Sequence, residues 1–207
     1  MNILITGFMP FGRETVNSSY EAVKRLPQEI LGCRIRKLEI PVVFGEGASM
    51  VFHAVREETP DAVLCVGQAG GRTAISIERV ALNLAECRPD FPDNAGNCPG
   101  GEPIIPNGPA AYFATLPVKE MEARVLKLGI PAELSCTAGT YVCNDVMYRL
   151  LHLLDHEYQG TRGGFVHVPY LPSQAAGHPG RPSMAEEDMV RGLEACIEAV
   201  ILTHNAG

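Results

Sequence analysis

Residues 62–67 read "AVLCVG", five apolar residues in a row closed by a glycine. A strand with one face in a core alternates apolar and polar. An unbroken run is buried on both faces, and such strands belong to sheets covered by helices on either side. The chain around this run fits that reading. "ILIT" (residues 3–6) is a second apolar, β-branched run, and "SYEAVKRL" (19–26) has helical spacing at Ala22, Val23 and Leu26 behind an Asn/Ser cap. "RIRKLEIPV" (34–42) alternates, with Ile35, Leu38 and Ile40 as expected buried positions. "GEGASMVFHAVREE" (45–58) predicts a helix with Met50, Val51, Ala54 and Val55 on its buried face. Beyond the central run, "ISIERVALNL" (75–84) reads as one strand, "VKEMEARVLKLG" (118–129) as a helix stopped by Gly129, and "AELSC" as a short strand. "NDVMYRLLHLLDHEYQ" then predicts a helix, and "GFVHVPYLP" a strand closed by proline. A long last helix follows, "SMAEEDMVRGLEACIEAVILTH", with Ser183 and Glu186 at capping-box spacing. Strand and helix alternating in this way predict a single-domain three-layer α/β/α sandwich over residues 1–207, around a largely parallel, mixed sheet.

Composition narrows the function. An apolar content of 46% and a charged content of 20% suit a chain of 207 residues with a substantial core. A net charge of −7, without any run of Lys and Arg, argues against a nucleic-acid surface. No apolar stretch approaches the ~18 residues that a membrane span needs. "MNILITGFMPFG" has no basic leader and reads as a first strand, so a cytoplasmic location is expected. Seven cysteines (Cys33, Cys65, Cys87, Cys98, Cys136, Cys143 and Cys196) include no C-x-x-C pair, which argues against a zinc knuckle or a thioredoxin-type motif. In a reducing compartment most of them are expected as free thiols. Residues 88–109, dense in Pro, Gly, Asn and Asp, are too long for an ordinary connector and are expected to be functional or mobile.

Sites in α/β sheets open at the carboxyl ends of strands, where "GQAGGR" (67–72), "GTYVCND" (139–145) and "VHVPY" (166–170) all fall. Cys143 stands where a strand has ended and a helix begins. Unpaired N–H groups and the helix dipole there favour a thiolate and can hold an oxyanion; the competing reading is a small core filler. His53, His152, His156 and His204 lie in helical patterns, and His178 lies in a Gly/Pro-rich loop read as exposed. His167 differs in being carried near the end of a strand, where an imidazole can serve a nucleophile as base and then as acid. Glu78 interrupts an apolar strand, and a carboxylate there needs a partner, with His167 and Arg79 both open choices. "GFMPFG" has the glycines of a phosphate loop without its Lys and Ser/Thr, and "HEYQG" lacks the second histidine of a zinc protease.

Taken together, "ITGFMPFG" with Asn17, "VGQAGGR", "ERVALNL", "DNAGN", "GPAAYFATLP", "TAGTYVCND" and "GFVHVPYLP" resemble, in that order, the pyroglutamyl peptidase I (pyrrolidone-carboxylate peptidase) family. These are cysteine peptidases that remove N-terminal pyroglutamate. The resemblance implies a Cys143–His167–Glu78 triad, no metal or organic cofactor, and a homotetramer. It also implies that Phe8, Phe11 and Val142 wall a pocket for the lactam ring, with Asn17, Gln68 and Arg88 close by. A flat, uncharged ring suits aromatic faces, and a charged amino terminus is costly to desolvate there. The chain departs from the family pattern at Met9, Tyr141 and Asp145. "ECRPDFPDN" also runs about two residues longer than usual, with Phe91 able to supply a ring. Two other classes fit the same scaffold: a nucleoside phosphorylase, with "GQAGGR" as its phosphate site, and a non-enzymatic thiol sensor built on Cys143.

Overall fold

The computed structural model describes residues 1–204. In chain order its first half runs β1 (Asn2–Phe8), α1 (Ser18–Arg25), β2 (Glu29–Ile30), β3 (Cys33–Ile40), α2 (Glu46–Glu58), β4 (Ala62–Gln68), β5 (Ile75–Glu78), β6 (Val80–Leu82) and β7 (Ala85–Glu86). There follow β8 (Gly100–Glu102), β9 (Ala111–Phe113), α3 (Val118–Lys127), β10 (Ala132–Ser135), α4 (Val142–Glu157), β11 (Arg162–Val168), α5 (Pro172–Ala175) and α6 (Glu186–His204). Seven strands form the main sheet in the order β10-β5-β11-β4-β1-β3-β2. β4 pairs in parallel with β1 and β11, and β1 with β3, whereas β5 meets β11 antiparallel.

The decisive run lies at the centre of this sheet, and every residue of β4 is buried. Ala62, Leu64 and Val66 face one hydrophobic cluster, shared with α1, α3 and α6. Val63 and Cys65 face the other, shared with α2 and α4. The layers are therefore α1/α3/α6, sheet, and α2/α4, the predicted three-layer sandwich. Burying each Val, Leu or Ile side chain on these faces contributes about 1.5–3 kcal/mol.

Several expectations need correction. Met50 is exposed, and α2 buries Gly47, Ala48, Val51, Ala54 and Val55 instead. "ISIERVALNL" is not one strand. It breaks at Arg79, whose N–H donates to the Ser135 carbonyl while its own carbonyl accepts from Ala114; β6 then pairs with β9 in a separate sheet. Ser183 does not cap the last helix, because α6 begins at Glu186 and Ser183 bridges to Tyr170. Five of the seven cysteines are free thiols, in line with the expectation that most are, while Cys87 and Cys98 are joined in a disulfide across the β7–β8 hairpin. That bridge and Asp93 both make links across the long segment. The Asp93 carboxylate accepts from the backbone of Phe44, Ala95 and Asn97 and from the Asn97 amide.

Candidate active site

His167 and Gly67 are register partners on β11 and β4, near the carboxyl ends of both strands. A β-carbon at Gly67 would lie 2.8 Å from the Phe165 ring and 3.1 Å from the Cys143 sulfur. The missing side chain is thus what lets the sulfur settle against the strand that neighbours His167. Cys143 is the second residue of α4, with Tyr141 as its extended cap. Asn144 fixes this helix start: its Oδ1 accepts from Leu82 N–H, and its Nδ2 donates to the carbonyls of Leu82 and Leu84. Asp145 adds a second strap, with Oδ2 accepting from Gly45 N–H and Oδ1 from Arg149. A carboxylate in a first helical turn also complements the dipole.

Glu78, the last residue of β5, is fully buried. Its Oε1 accepts from His167 Nδ1 at 2.8 Å and from Arg72 Nη1 at 2.6 Å. Of the two partners left open by the sequence, His167 is therefore the one used. Arg79 is not; Arg72 takes the place of the second cation. Arg72 emerges from the "GQAGGR" turn, where Gly71 adopts φ +106° and a β-carbon on Gly70 would collide with the Tyr170 ring at 2.1 Å. The one cation of that motif is thus engaged by a carboxylate, which removes the phosphate site the phosphorylase reading needed.

Electrostatics set the resting protonation. Burial raises the Cys143 thiol, with the nearby Glu78 charge adding to it and Arg72 opposing, so that it is pushed up to about 12. Burial therefore works against what the helix tip favours at the half-buried sulfur. Burial also lowers His167; the bond to Glu78 works against this and Arg72 with it, and the net direction is down. Burial would raise the Glu78 carboxyl, but its bond and attraction to His167, with the Arg72 charge, hold it below the ordinary value. These directions favour a thiol, a neutral imidazole and a carboxylate in the ligand-free site near neutral pH.

The remaining expected residues are spread around this centre. Phe8 is buried with its ring 6.2 Å from that of Phe165, and Val142 is buried in the same core. Phe11 is half-buried, 5.8 Å from the Phe91 ring and 6.4 Å from that of Tyr141. Asn17 is the α1 cap: its Oδ1 accepts from Ser19, and its Nδ2 donates to the Met9 carbonyl, tying down the turn that carries Phe11. Gln68 Oε1 accepts from Ser18 N–H, the Ser18 hydroxyl and Gln174 Nε2, leaving its own amide N–H groups without a partner among the described residues. Arg88 is exposed, paired with Asp90 at 3.5 Å and stacked over Phe91. His178, read as exposed, is paired with Glu14 and stacked on Tyr170.

Two clefts flank Phe91. One, of about 610 Å³, is lined by residues including Phe11, Glu14, Arg88, Tyr170 and His178; the other, of about 570 Å³, by Cys87, Arg88, Thr140 and Tyr141. Sequence reasoning missed Arg72, which joins Glu78 six residues on to Thr137 far along the chain, and Asn144, whose partners all lie far along the chain. Among the described residues no three His, Cys, Asp or Glu side chains gather as metal ligands, and no helix is long and apolar enough to cross a membrane.

Known proteins resemble this chain along nearly its whole length. The pyroglutamyl peptidase family pattern matches residues 1–203. The pyrrolidone-carboxylate peptidase of Levilactobacillus brevis is 52% identical over 204 residues, covering 99% of each chain. That of Escherichia fergusonii is 53% identical over 196 residues, 94% of this chain and 90% of the relative. The crystal structure of pyroglutamyl peptidase I from Bacillus amyloliquefaciens superposes with a TM-score of 0.93 at 43% identity, over 97% of both chains. A mutant pyrrolidone carboxyl peptidase from Pyrococcus furiosus gives a TM-score of 0.93 at 37% identity, over 99% of this chain and 100% of that one. In sequence and in fold alike, the chain belongs to the pyroglutamyl peptidase family.

Proposed function

We propose that this protein hydrolyses the bond after an N-terminal pyroglutamyl residue of peptides, through a thioester on Cys143. The observation that carries the reading is the 2.8 Å bond from His167 to buried Glu78, beside a strand glycine against which the Cys143 sulfur rests. As the sulfur attacks the pyroglutamyl carbonyl carbon, His167 takes the thiol proton, and Glu78 stabilises the imidazolium and fixes the ring. N–H groups of the first turn of α4, with the free amide of Gln68, receive the negative oxygen. Collapse breaks the carbon–nitrogen bond, and His167 gives its proton to the leaving amine. Water then attacks the thioester while His167 takes a proton from it, and the thiol returns.

The lactam ring is taken against the aromatic faces of Phe11, Phe91 and Tyr141, with Phe8 and Val142 as packing behind them. Asn17 acts by holding the Phe11 turn, and Arg88 lies at the rim, toward the leaving peptide. Substrates with a free amino terminus are rejected because the carboxylates nearby are already engaged: Glu14 with His178 and Gln174, Asp90 with Arg88, and Asp93 with four donors. The family resemblance further supports a homotetramer, for which light scattering in solution is the check. The activity is tested by hydrolysis of pyroglutamyl-arylamide beside prolyl- and glutamyl-arylamides. Turnover confined to the first is expected; comparable cleavage of all three overturns the reading.

A further inference from the structure

We propose that Arg72 is a positioning residue for this reaction: its guanidinium holds the Glu78 carboxylate and the Thr137 carbonyl at once. It thereby ties the acid–imidazole pair on the sheet to the turn that delivers the nucleophile. The inference rests on the peptidase reading above and adds a fourth member to its machinery. Arg72 Nη1 donates to Glu78 Oε1 at 2.6 Å, and Nη2 donates to the Thr137 carbonyl at 3.3 Å. Thr137 opens the turn that ends at Tyr141, the cap of α4, two residues before Cys143. A planar fork with several donors holds two acceptors in a fixed relation, whereas the rotatable donors of an ammonium on a flexible stem can reach two acceptors without fixing the angle between them.

The arrangement has a chemical consequence. Glu78 Oε2 is buried and accepts no hydrogen bond among the described residues, so one carboxylate oxygen, Oε1, serves both His167 and Arg72. An acceptor shared with a guanidinium is a weaker partner for the imidazole, and the positive charge itself disfavours a second one nearby. Arg72 thus keeps His167 neutral in the resting enzyme and ready to take the proton of Cys143. Around His167 and Cys143 the ionisable groups are Glu78 on β5, Arg72 in the β4–β5 turn, Cys65 on β4 and Tyr141 at the cap of α4. Arg72 is the one permanent cation in that set.

The test is the pH profile of kcat/KM on pyroglutamyl-arylamide, which reports the free enzyme. In Arg72→Met the acid limb is expected to move up by about one pH unit, as loss of a cation at this range implies. kcat falls while inhibition by 2-pyrrolidone, a mimic of the lactam ring, is kept. Arg72→Lys is expected to return the limb toward wild type but to recover only part of kcat. A limb at the wild-type position in Arg72→Met, with activity loss that merely follows thermal stability, overturns the proposal. Should Arg72→Met fail to fold, Arg72→Lys decides alone, because full wild-type kcat in it refutes the two-acceptor clamp. Cys143→Ser assayed alongside separates the two ideas: turnover surviving there sinks the peptidase reading itself, whatever Arg72 does.

Discussion

Gly67→Ala changes one hydrogen into a methyl at the point where nucleophile and sheet touch. The new carbon would stand 2.8 Å from the Phe165 ring and 3.1 Å from Cys143 Sγ, against a comfortable separation of about 3.5–4.0 Å between carbons. Ring and sulfur must together give way by roughly half an ångström or more. Phe165 packs at 4.8 Å from the His167 ring and 6.2 Å from that of Phe8, so it has little room to retreat, and Cys143 is held by a helix start that Asn144 clamps. Overpacking of this kind costs about 1–3 kcal/mol of stability, and each kcal/mol lowers Tm by about 2–4 °C in a chain of this size. A displacement of about 1 Å at a reacting atom costs about 100-fold in rate, so half of that predicts roughly a tenfold loss of kcat. The assay is kcat on pyroglutamyl-arylamide, with 2-pyrrolidone inhibition to show an intact pocket. A folded Gly67→Ala enzyme with kcat within twofold of wild type would refute the placement of the sulfur against this strand.

Glu78→Gln keeps the shape but removes the charge that steadies the imidazolium. A hydrogen bond to a charged group is worth about 1.5–3 kcal/mol, which predicts kcat down about 10- to 150-fold, a smaller loss than for His167→Ala; the reverse order in measured kcat contradicts the assigned roles. Because burial raises the Cys143 thiol to about 12 and lowers His167 below 6.5, alkylation of the free enzyme by iodoacetamide is expected to climb steadily from neutral into alkaline pH. A rate already at its plateau by pH 6 would show a thiolate–imidazolium pair instead. Reduction of Cys87–Cys98 loosens the segment carrying Phe91 but leaves Asp93 with its four donors and Asn94 bonded to the Pro10 carbonyl. KM measured in dithiothreitol is therefore expected to rise only a few-fold, and the Cys87→Ser/Cys98→Ser enzyme to show that raised value with or without reductant; equal KM values throughout dismiss a role for the bridge in the pocket.

What the sequence made legible were features with strong local constraints. The run of residues 62–67 is short, continuously apolar and closed by a glycine, the pattern of a strand buried on both faces. Glu78 stands out because a carboxylate in an apolar strand demands a partner, and His167 because a strand carries it to the same sheet end. The break at Arg79 does leave a trace in the sequence: the apolar alternation changes phase there, from Ile75 and Ile77 to Val80 and Leu82, as the backbone leaves one sheet for another. Arg72 escaped because its partners depend on how a Gly-Gly turn folds, which spacing does not encode. The Cys87–Cys98 pairing is equally non-local: seven cysteines permit many connectivities, and only the hairpin brings these two together. The burial that opposes a thiolate at Cys143 is likewise invisible in the sequence, whereas the helix tip that favours one is not.

The most direct measurement of the central claim is rapid quenching of the enzyme with a pyroglutamyl ester, followed by peptide mapping. The account predicts a pyroglutamyl group bound as a thioester to Cys143, accumulating before steady state and lost on hydrolysis. Turnover with Cys143 never acylated, or undiminished turnover by Cys143→Ser, would contradict it.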